Sequence, residues 1–245
     1  MATKMLLGIV ALVAALAVAP SKAYLTDDQK EELLNAHNFY RSRVSPIATN
    51  MARLKWDTNL ELLGQFYSVE CMIEPNERKH EQSTDYDYVG EILDGSGNYT
   101  INLTAMVFNW FFEGRDYNFN SAACVDEDGE EAEEGCERYL QLTWAQTRVM
   151  GCGGYRCEEI MGLEEDDNGD EDATALMVAC YYGPGGGASG ETPYQTGSQA
   201  CSSCPGDLPD CDERKLCYNG GAGQTVAHVS IVMTLMVMGV ISSIL

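Results

Sequence analysis

The sequence predicts an α+β sandwich built around one core. Apolar residues recur at helical spacing in the first half of the chain, whereas two later stretches are rich in alternating, β-branched or aromatic residues. The segment from Tyr24 to Gly206, about 180 residues, has the size of a single domain. All ten cysteines lie between Cys71 and Cys217, which adds a cysteine-rich C-terminal part. Helices first and strands later, around one core, indicate the α+β class.

The first helix is predicted from a start signal, an apolar face and a stop signal. Thr26 and Gln29 have the spacing of a capping box, in which each side chain accepts a hydrogen bond from the other residue's backbone. Apolar residues then recur every three or four positions, and Pro46 cannot continue a helix. We therefore predict a helix over residues 27–44.

Two more helices and two strands follow along the chain. Apolar spacing predicts a helix from about Leu60 to Ile73 and another over residues 103–116. Alternation and β-branched or aromatic content predict strands at Tyr139–Arg148 and Ala175–Tyr182.

The N-terminal segment predicts secretion. Lys4 precedes an apolar run, and residues 21–23 supply the small side chains that signal peptidase needs. Residues 1–23 are therefore interpreted as a cleaved signal peptide, because the run is too short to favour a membrane anchor.

The C-terminal segment predicts attachment to the cell surface. A small-residue cluster begins at Asn219, and an apolar tail follows with no charged residue after it. A spanning helix would normally be followed by cytoplasmic Lys or Arg. We favour a GPI-attachment signal with Asn219 as the attachment residue and residues 220–245 removed or buried. A single-span tail is the alternative.

Charge and cysteine usage agree with an extracellular location. The chain has 15 Lys and Arg against 38 Asp and Glu, a net charge of −23, which argues against binding nucleic acid or anionic lipid. An even number of cysteines in a secreted chain predicts five disulfides rather than a metal cluster. Asn98 and Asn102 begin glycosylation sequons, so we expect that stretch at the surface.

Two acidic runs, residues 126–134 and 164–172, are predicted to be solvated loops, because repelling carboxylates without apolar neighbours cannot be buried. In the second run, Asp166, Asn168 and Asp170 place oxygen ligands at alternate positions, as calcium prefers. Met177 stands where an EF-hand requires its bidentate Glu. We expect weak calcium binding at most.

The stretch between Cys136 and Cys152 carries a family resemblance. Its Tyr139, Gln141 and Trp144 match the Gly-His-Tyr-Thr-Gln-Val-Val-Trp signature of the CAP superfamily, which includes cysteine-rich secretory proteins, insect venom antigens and plant pathogenesis-related proteins. Six other segments resemble the family in the same order: 37–41, 54–57, 90–92, 110–113, 117–119 and 180–186.

This resemblance implies a three-layer α-β-α sandwich with a central cavity over residues 24–190. Residues 191–219 resemble the hinge module of the glioma pathogenesis-related and cysteine-rich secretory branches. The spacing alone leaves the disulfide connectivity open. The family's order implies the pairs Cys71–Cys157, Cys124–Cys136, Cys152–Cys180, Cys201–Cys211 and Cys204–Cys217.

The family cavity holds two histidines and two acidic residues, which bind zinc in some members. Glu91 and Glu113 match the acidic residues, whereas Pro75 and Arg138 stand at the histidine positions. Neither Pro nor Arg offers a metal ligand, so we predict no metal. We expect Arg138 to contact both glutamates and to take the place of a cation.

An enzyme is disfavoured. The chain has three histidines, of which His37 is expected to pack in the first helix, His80 to be exposed in a loop and His228 to lie in the tail. The cysteines are expected to be bridged, and Arg138 is expected to keep both glutamates ionised.

The sequence therefore predicts an extracellular binding module that acts through an unknown, basic partner protein. A sterol or lipid carrier is the alternative, because residues 101–112 are densely apolar. A metal-dependent hydrolase ranks last.

Overall fold

The computed structural model describes residues 25–83, 85–96, 102–126, 128–130, 135–162, 175–187 and 190–221. The predicted signal peptide, the Asn98 sequon, the calcium residues and the apolar tail lie outside the described residues. Within the described ranges, no helix is both long and apolar enough to cross a membrane.

The described chain contains five α-helices, one 3₁₀ helix and eight strands. The helices are α1 Asp27–Arg41, α2 Thr58–Ser68, α3 Lys79–Gln82, α4 Leu103–Phe112, the 3₁₀ helix Glu113–Asp116 and α5 Glu137–Thr143. The strands are β1 Lys55–Trp56, β2 Gly90–Ser96, β3 Tyr117–Asn118, β4 Ala123–Cys124, β5 Val149–Cys157, β6 Ala175–Gly183, β7 Asp210–Cys211 and β8 Cys217–Tyr218.

The central sheet has four strands in the order β1-β5-β6-β2. β1 pairs parallel with β5, whereas β6 pairs antiparallel with both β5 and β2. β6 is buried along its whole length, because neighbours flank both edges and helices cover both faces.

The helices cover the two faces of the sheet, which makes three layers. On one face, Leu60 and Leu63 of α2 pack with Ala179 and Tyr181 of β6. On the other face, α1 and α4 pack against the alternate residues of the same strand, including Tyr182. The strand's period of two thus assigns successive side chains to different layers. The prediction of a three-layer α-β-α sandwich is confirmed.

α2 lies so close to the sheet that only glycine fits beneath it. A Cβ atom on Gly153 would lie 2.0 Å from the backbone nitrogen of Gln65, and one on Gly64 would lie 2.4 Å from the carbonyl oxygen of Ala179. Neither neighbour is a flexible side chain that could move away. The paired glycines therefore set the distance between the two layers.

Several predicted elements are confirmed, and the first two helices end earlier than predicted. α1 has the capping box of Thr26 and Gln29 but ends at Arg41. α2 ends at Ser68 rather than near residue 73, and Cys71 has a φ of 53° that a helix cannot accommodate. The third predicted helix forms as α4 followed by the 3₁₀ turn, and the second predicted strand forms as β6.

The predicted strand at Tyr139–Arg148 is wrong. Its first half is helix α5, and the strand β5 begins only at Val149. The exposed residues of α5, Glu137 and Arg138, lie at its start, and all five residues from Tyr139 to Thr143 are buried, so the helix has no polar stripe to produce an amphipathic period. The alternation of apolar and polar residues there reflects hydrogen bonding of buried polar side chains, such as that of Thr143 to the carbonyl of Tyr139 at 2.7 Å.

Five disulfides form, with the same pairing that the family resemblance implies. Three lie in the sandwich: Cys71–Cys157, Cys124–Cys136 and Cys152–Cys180. Two lie in the C-terminal part: Cys201–Cys211 and Cys204–Cys217. That part contains the hairpin β7–β8, and backbone hydrogen bonds of Cys217 to Met51 and Arg53 join it to the sandwich.

Candidate functional site

Glu113 and Arg138 meet where two helices approach each other. Glu113 follows α4 at the start of the 3₁₀ helix, and Arg138 lies in the first turn of α5. The Arg138 Nε donates a short hydrogen bond to Glu113 Oε1, and the backbone nitrogen of Tyr139 donates to Oε2 at 3.3 Å. The second oxygen of the carboxylate is therefore held by the helix that carries the arginine.

Asp94 on β2 is the other carboxylate of this cluster. Its Oδ2 lies 3.7 Å from the Arg138 Nη1 and accepts a hydrogen bond of 2.5 Å from the Trp110 Nε1. The sequence analysis did not identify Asp94. Its position three residues after Glu91 on a strand places the two side chains on opposite faces of the sheet.

Glu91 is neutralised by a different cation. The Lys79 Nζ lies 2.6 Å from Glu91 Oε1, and the backbone nitrogen of Asn76 donates to both carboxylate oxygens at 3.2 Å. The expectation that Arg138 contacts Glu91 and Glu113 together is therefore wrong. The short helix α3 places Lys79 beside Glu91. A helix of four residues is too short to produce a periodic apolar pattern in the sequence.

Asn76 organises the surroundings of Glu91. Its side-chain nitrogen donates to Gln82 Oε1 at 2.9 Å and to the Tyr181 hydroxyl at 3.1 Å, while its backbone nitrogen holds the carboxylate. Burial raises the pKa of Tyr181, so this phenol stays neutral. Pro75, immediately before Asn76, is exposed.

Burial raises the pKa of Glu113 above its ordinary value of 4.5, and the Arg138 guanidinium offsets only part of that increase. Arg138 does not cancel the rise in the pKa of Glu113, because the carboxylate is more deeply buried than its partner. The Glu113 side chain is 15% exposed and that of Arg138 is 46% exposed. Much of the guanidinium's charge is therefore screened by solvent.

Both described histidines form hydrogen bonds through their ring nitrogens. His37 is buried, and its Nδ1 lies 2.7 Å from the Leu33 carbonyl and its Nε2 lies 2.9 Å from the Tyr182 hydroxyl. Burial lowers the pKa of His37 to about 4. His80 accepts a hydrogen bond from the Val89 nitrogen at 3.1 Å through its Nδ1.

The residues at the family's metal positions do not fit a divalent cation. Pro75 and Arg138 supply no ligand atom, and both matched glutamates already contact a cationic side chain. An incoming ion would have to displace Lys79 from Glu91 and Arg138 from Glu113. All ten cysteines are in disulfides, so none offers a thiolate as nucleophile or ligand.

A patch of exposed aromatic rings lies on the neighbouring surface of α1 and α4. Phe39, Phe108 and Phe112 are 41–49% exposed, and ring contacts through Tyr40 join them. We call these four residues the aromatic patch. Other residues of the predicted apolar segment, such as Trp110, face the core instead.

Comparisons with known proteins agree with this architecture. The family model described as "CAP: Cysteine-rich secretory protein family" matches residues 34–182. Bovine (Bos taurus) GLIPR1-like protein 1 is 31% identical over 205 residues, which cover 82% of this chain and 76% of that protein. Peptidase inhibitor 16 of Mus musculus is 32% identical over 189 residues, which cover 77% of this chain but only 34% of that protein.

Solved structures show the same fold at lower identity. The hookworm platelet inhibitor superposes with a TM-score of 0.57 at 22% identity, covering 83% of this chain and 96% of that one. Venom allergen-like protein 4 of Schistosoma mansoni gives a TM-score of 0.51 at 21% identity, covering 71% and 97%. The family-model match, the bovine relative and the shared fold together establish that this chain belongs to the CAP (cysteine-rich secretory protein) family.

Proposed function

We propose that the protein is an extracellular, membrane-anchored binding module whose cavity carboxylates are neutralised by its own side chains instead of by a metal. One observation carries this proposal: Lys79 contacts Glu91, and Arg138 contacts Glu113 and Asp94. A site whose carboxylates already have cationic partners can hold the fold together without a cofactor.

The proposed partner is a basic extracellular protein. The net charge of −23 would attract it over several ångströms and speed encounter at low salt. Part of the first acidic run, Asp126 with residues 128–130, forms an exposed turn in which Asp126 Oδ1 accepts hydrogen bonds from two backbone nitrogens. The carboxylates of Asp128 and Glu130 therefore lie at the surface.

A titration with a cationic probe tests the interaction role. We expect a lysine-rich dodecapeptide to bind the secreted protein at low salt, with an association rate that falls steeply between about 50 and 500 mM salt. The matched control replaces the carboxylates of residues 126–134 by their amides, which should slow association. Binding insensitive to both salt and these replacements would refute steering by the acidic surface.

Anchoring is tested separately on cells that express the full sequence. A GPI anchor predicts release of the protein into the medium by a phosphatidylinositol-specific phospholipase C. Retention after treatment, with the tail detected in the membrane fraction, would favour the single-span alternative.

A lipid or sterol carrier is the second candidate, and the aromatic patch favours it. Three exposed phenylalanines, of which Phe39 is joined to the other two through Tyr40, form an apolar surface larger than single exposed residues provide. Native mass spectrometry of the secreted protein tests this candidate directly. A stoichiometric lipid adduct that is lost in Phe108→Ser but kept in Phe66→Ser, another exposed phenylalanine, would support it.

A further inference from the structure

A groove of about 640 Å³ separates the cysteine-rich C-terminal part from the sandwich. α1 and β1 form one wall, and the hairpin β7–β8 with its connecting turn forms the other. We call it the seam groove. Its lining residues that matter here are Asn38, Arg53, Lys55, Trp56, Asp212, Arg214 and Tyr218.

The seam groove concentrates positive charge in an acidic protein. Three cations line it, Arg53, Lys55 and Arg214, although the chain has only 15 Lys and Arg against 38 Asp and Glu. Lys55 and Arg214 are exposed and form no ion pair in the described part of the chain. Within the described residues, the Arg214 side chain donates only to the neutral Asn35 Oδ1, at 3.4 Å from both terminal nitrogens.

The acidic residues of the groove do not cancel these cations. Asp212 Oδ1 accepts hydrogen bonds of 2.9 Å from the backbone nitrogens of Arg214 and Leu216, so it holds the hairpin turn. Its Oδ2 lies 3.7 Å from Arg53. Glu213 is exposed at the groove, which leaves three cations against two carboxylates. An acidic ligand is therefore attracted to the groove, while most of the remaining surface repels it.

The groove also runs along the outer edge of the central sheet. β1 is the outermost strand, and the nitrogens of Lys55 and Asp57 donate towards β5, to Arg148 at 3.0 Å and Met150 at 2.8 Å. By strand alternation, Trp56 directs its backbone groups to the opposite edge. Its neighbour Leu54 uses that edge to exchange two hydrogen bonds with the Asn38 side chain.

The aromatic residues favour a peptide over a sugar as the occupant. The Arg53 guanidinium covers the Tyr218 ring at 4.8 Å. The Trp56 ring packs on the main core, and its Nε1 donates to Glu61 Oε2 at 2.7 Å. Both rings already have partners, whereas an edge strand beside unpaired cations matches an extended chain that carries carboxylates.

We propose that the seam groove binds an extended acidic segment of a partner protein. The segment pairs with the backbone of Trp56, and its carboxylates contact Lys55 and Arg214. This site is separate from the acidic surface that the proposed function uses, so an experiment can refute one of the two proposals without refuting the other.

The probe is a fluorescein-labelled decapeptide of alternating Glu and Val, titrated into the secreted protein at about 50 mM salt. We expect K55Q/R214Q to weaken binding about tenfold, from two lost charge contacts of ordinary strength. The matched control, R43Q/R78Q, removes two other exposed cations that form no ion pair in the described ranges and should weaken binding less than twofold. The Trp56 indole resonance should shift on addition of the peptide.

Three results would overturn the proposal. Equal weakening by both double variants would mean that only net charge matters. Tighter binding of a sulfated decasaccharide, with the same sensitivity to K55Q/R214Q, would make the groove a carbohydrate site. Absence of peptide binding at about 1 mM would mean that the groove does not recognise acidic chains.

Discussion

Removing the Arg138 side chain tests the electrostatics of the carboxylate cluster. In Arg138→Ala, Glu113 keeps the Tyr139 nitrogen at 3.3 Å but loses its cation. A fully buried broken pair costs about 3–5 kcal/mol, whereas an exposed one costs about 0.2–1 kcal/mol. Because the Arg138 side chain is 46% exposed and that of Glu113 is 15% exposed, we expect about 1–2 kcal/mol at pH 7.

The loss of folding stability in Arg138→Ala should depend on pH in a defined direction. Burial raises the pKa of Glu113, and loss of Arg138 raises it further. A carboxyl with a raised folded-state pKa favours folding below its unfolded-state pKa, and this stabilisation is lost as pH rises through the folded-state pKa. Near pH 3.5 the carboxyl is mostly protonated in both states and needs no cation. The effect of Arg138→Ala should therefore approach zero there.

Urea denaturation with disulfides intact measures the free energy of unfolding at both pH values. Glu113→Gln and the double variant complete a cycle that isolates the pair. We expect Arg138→Ala to cost little in the Glu113→Gln background at pH 7. An equal cost at pH 7 and pH 3.5, or an equal cost in both backgrounds, would refute the electrostatic explanation.

Three further predictions concern the core. Arg41→Met should lower the free energy of unfolding, measured by urea denaturation, by roughly 3 kcal/mol or more, because the backbone carbonyls that accept from the buried guanidinium would lose their donors. The control Arg43→Met, at the surface, should lower it by less than about 1 kcal/mol. Equal losses in the two variants would contradict the role of burial. Gly153→Ala should lower the secretion yield or the melting temperature, because its Cβ would clash with the α2 backbone. Gly206→Ala, which has open space around its Cβ, should change neither. An unchanged melting temperature of Gly153→Ala would show that the two layers can move apart. Burial lowers the pKa of His37 to about 4, so on acidification the unfolded chain is protonated at His37 before the folded protein is. The free energy of unfolding should therefore fall by roughly 3 kcal/mol as pH drops from 6.5 towards 4. His37→Gln should flatten this pH profile, and an unchanged slope would mean that other groups cause it.

The sequence was sufficient for the architecture because its signals were local or carried by the family order. The capping box of Thr26 and Gln29 predicts the start of α1, and the alternation and β-branched or aromatic content of Ala175–Tyr182 predict strand β6. The resemblance supplied the disulfide pairing, which cysteine spacing alone leaves open.

The sequence was insufficient where long-range placement decides the outcome. Which cation reaches Glu91 depends on α3, a four-residue helix too short to leave a periodic pattern. Asp94 joins Arg138 through strand β2, whereas Lys79 reaches Glu91 through that short helix. α5 was mistaken for a strand because its residues from Tyr139 to Thr143 are all buried and leave no polar stripe along the helix.

A calorimetric titration of zinc into the secreted protein tests the central claim most directly. Because Lys79 already contacts Glu91 and Arg138 already contacts Glu113, the account predicts no binding heat up to about 1 mM zinc. The same titration of Pro75→His with Arg138→His provides the comparison, since this variant removes one of the two cations and adds two imidazoles. Stoichiometric zinc binding by the unmodified protein, with micromolar affinity, would contradict the claim that its own cations replace the metal.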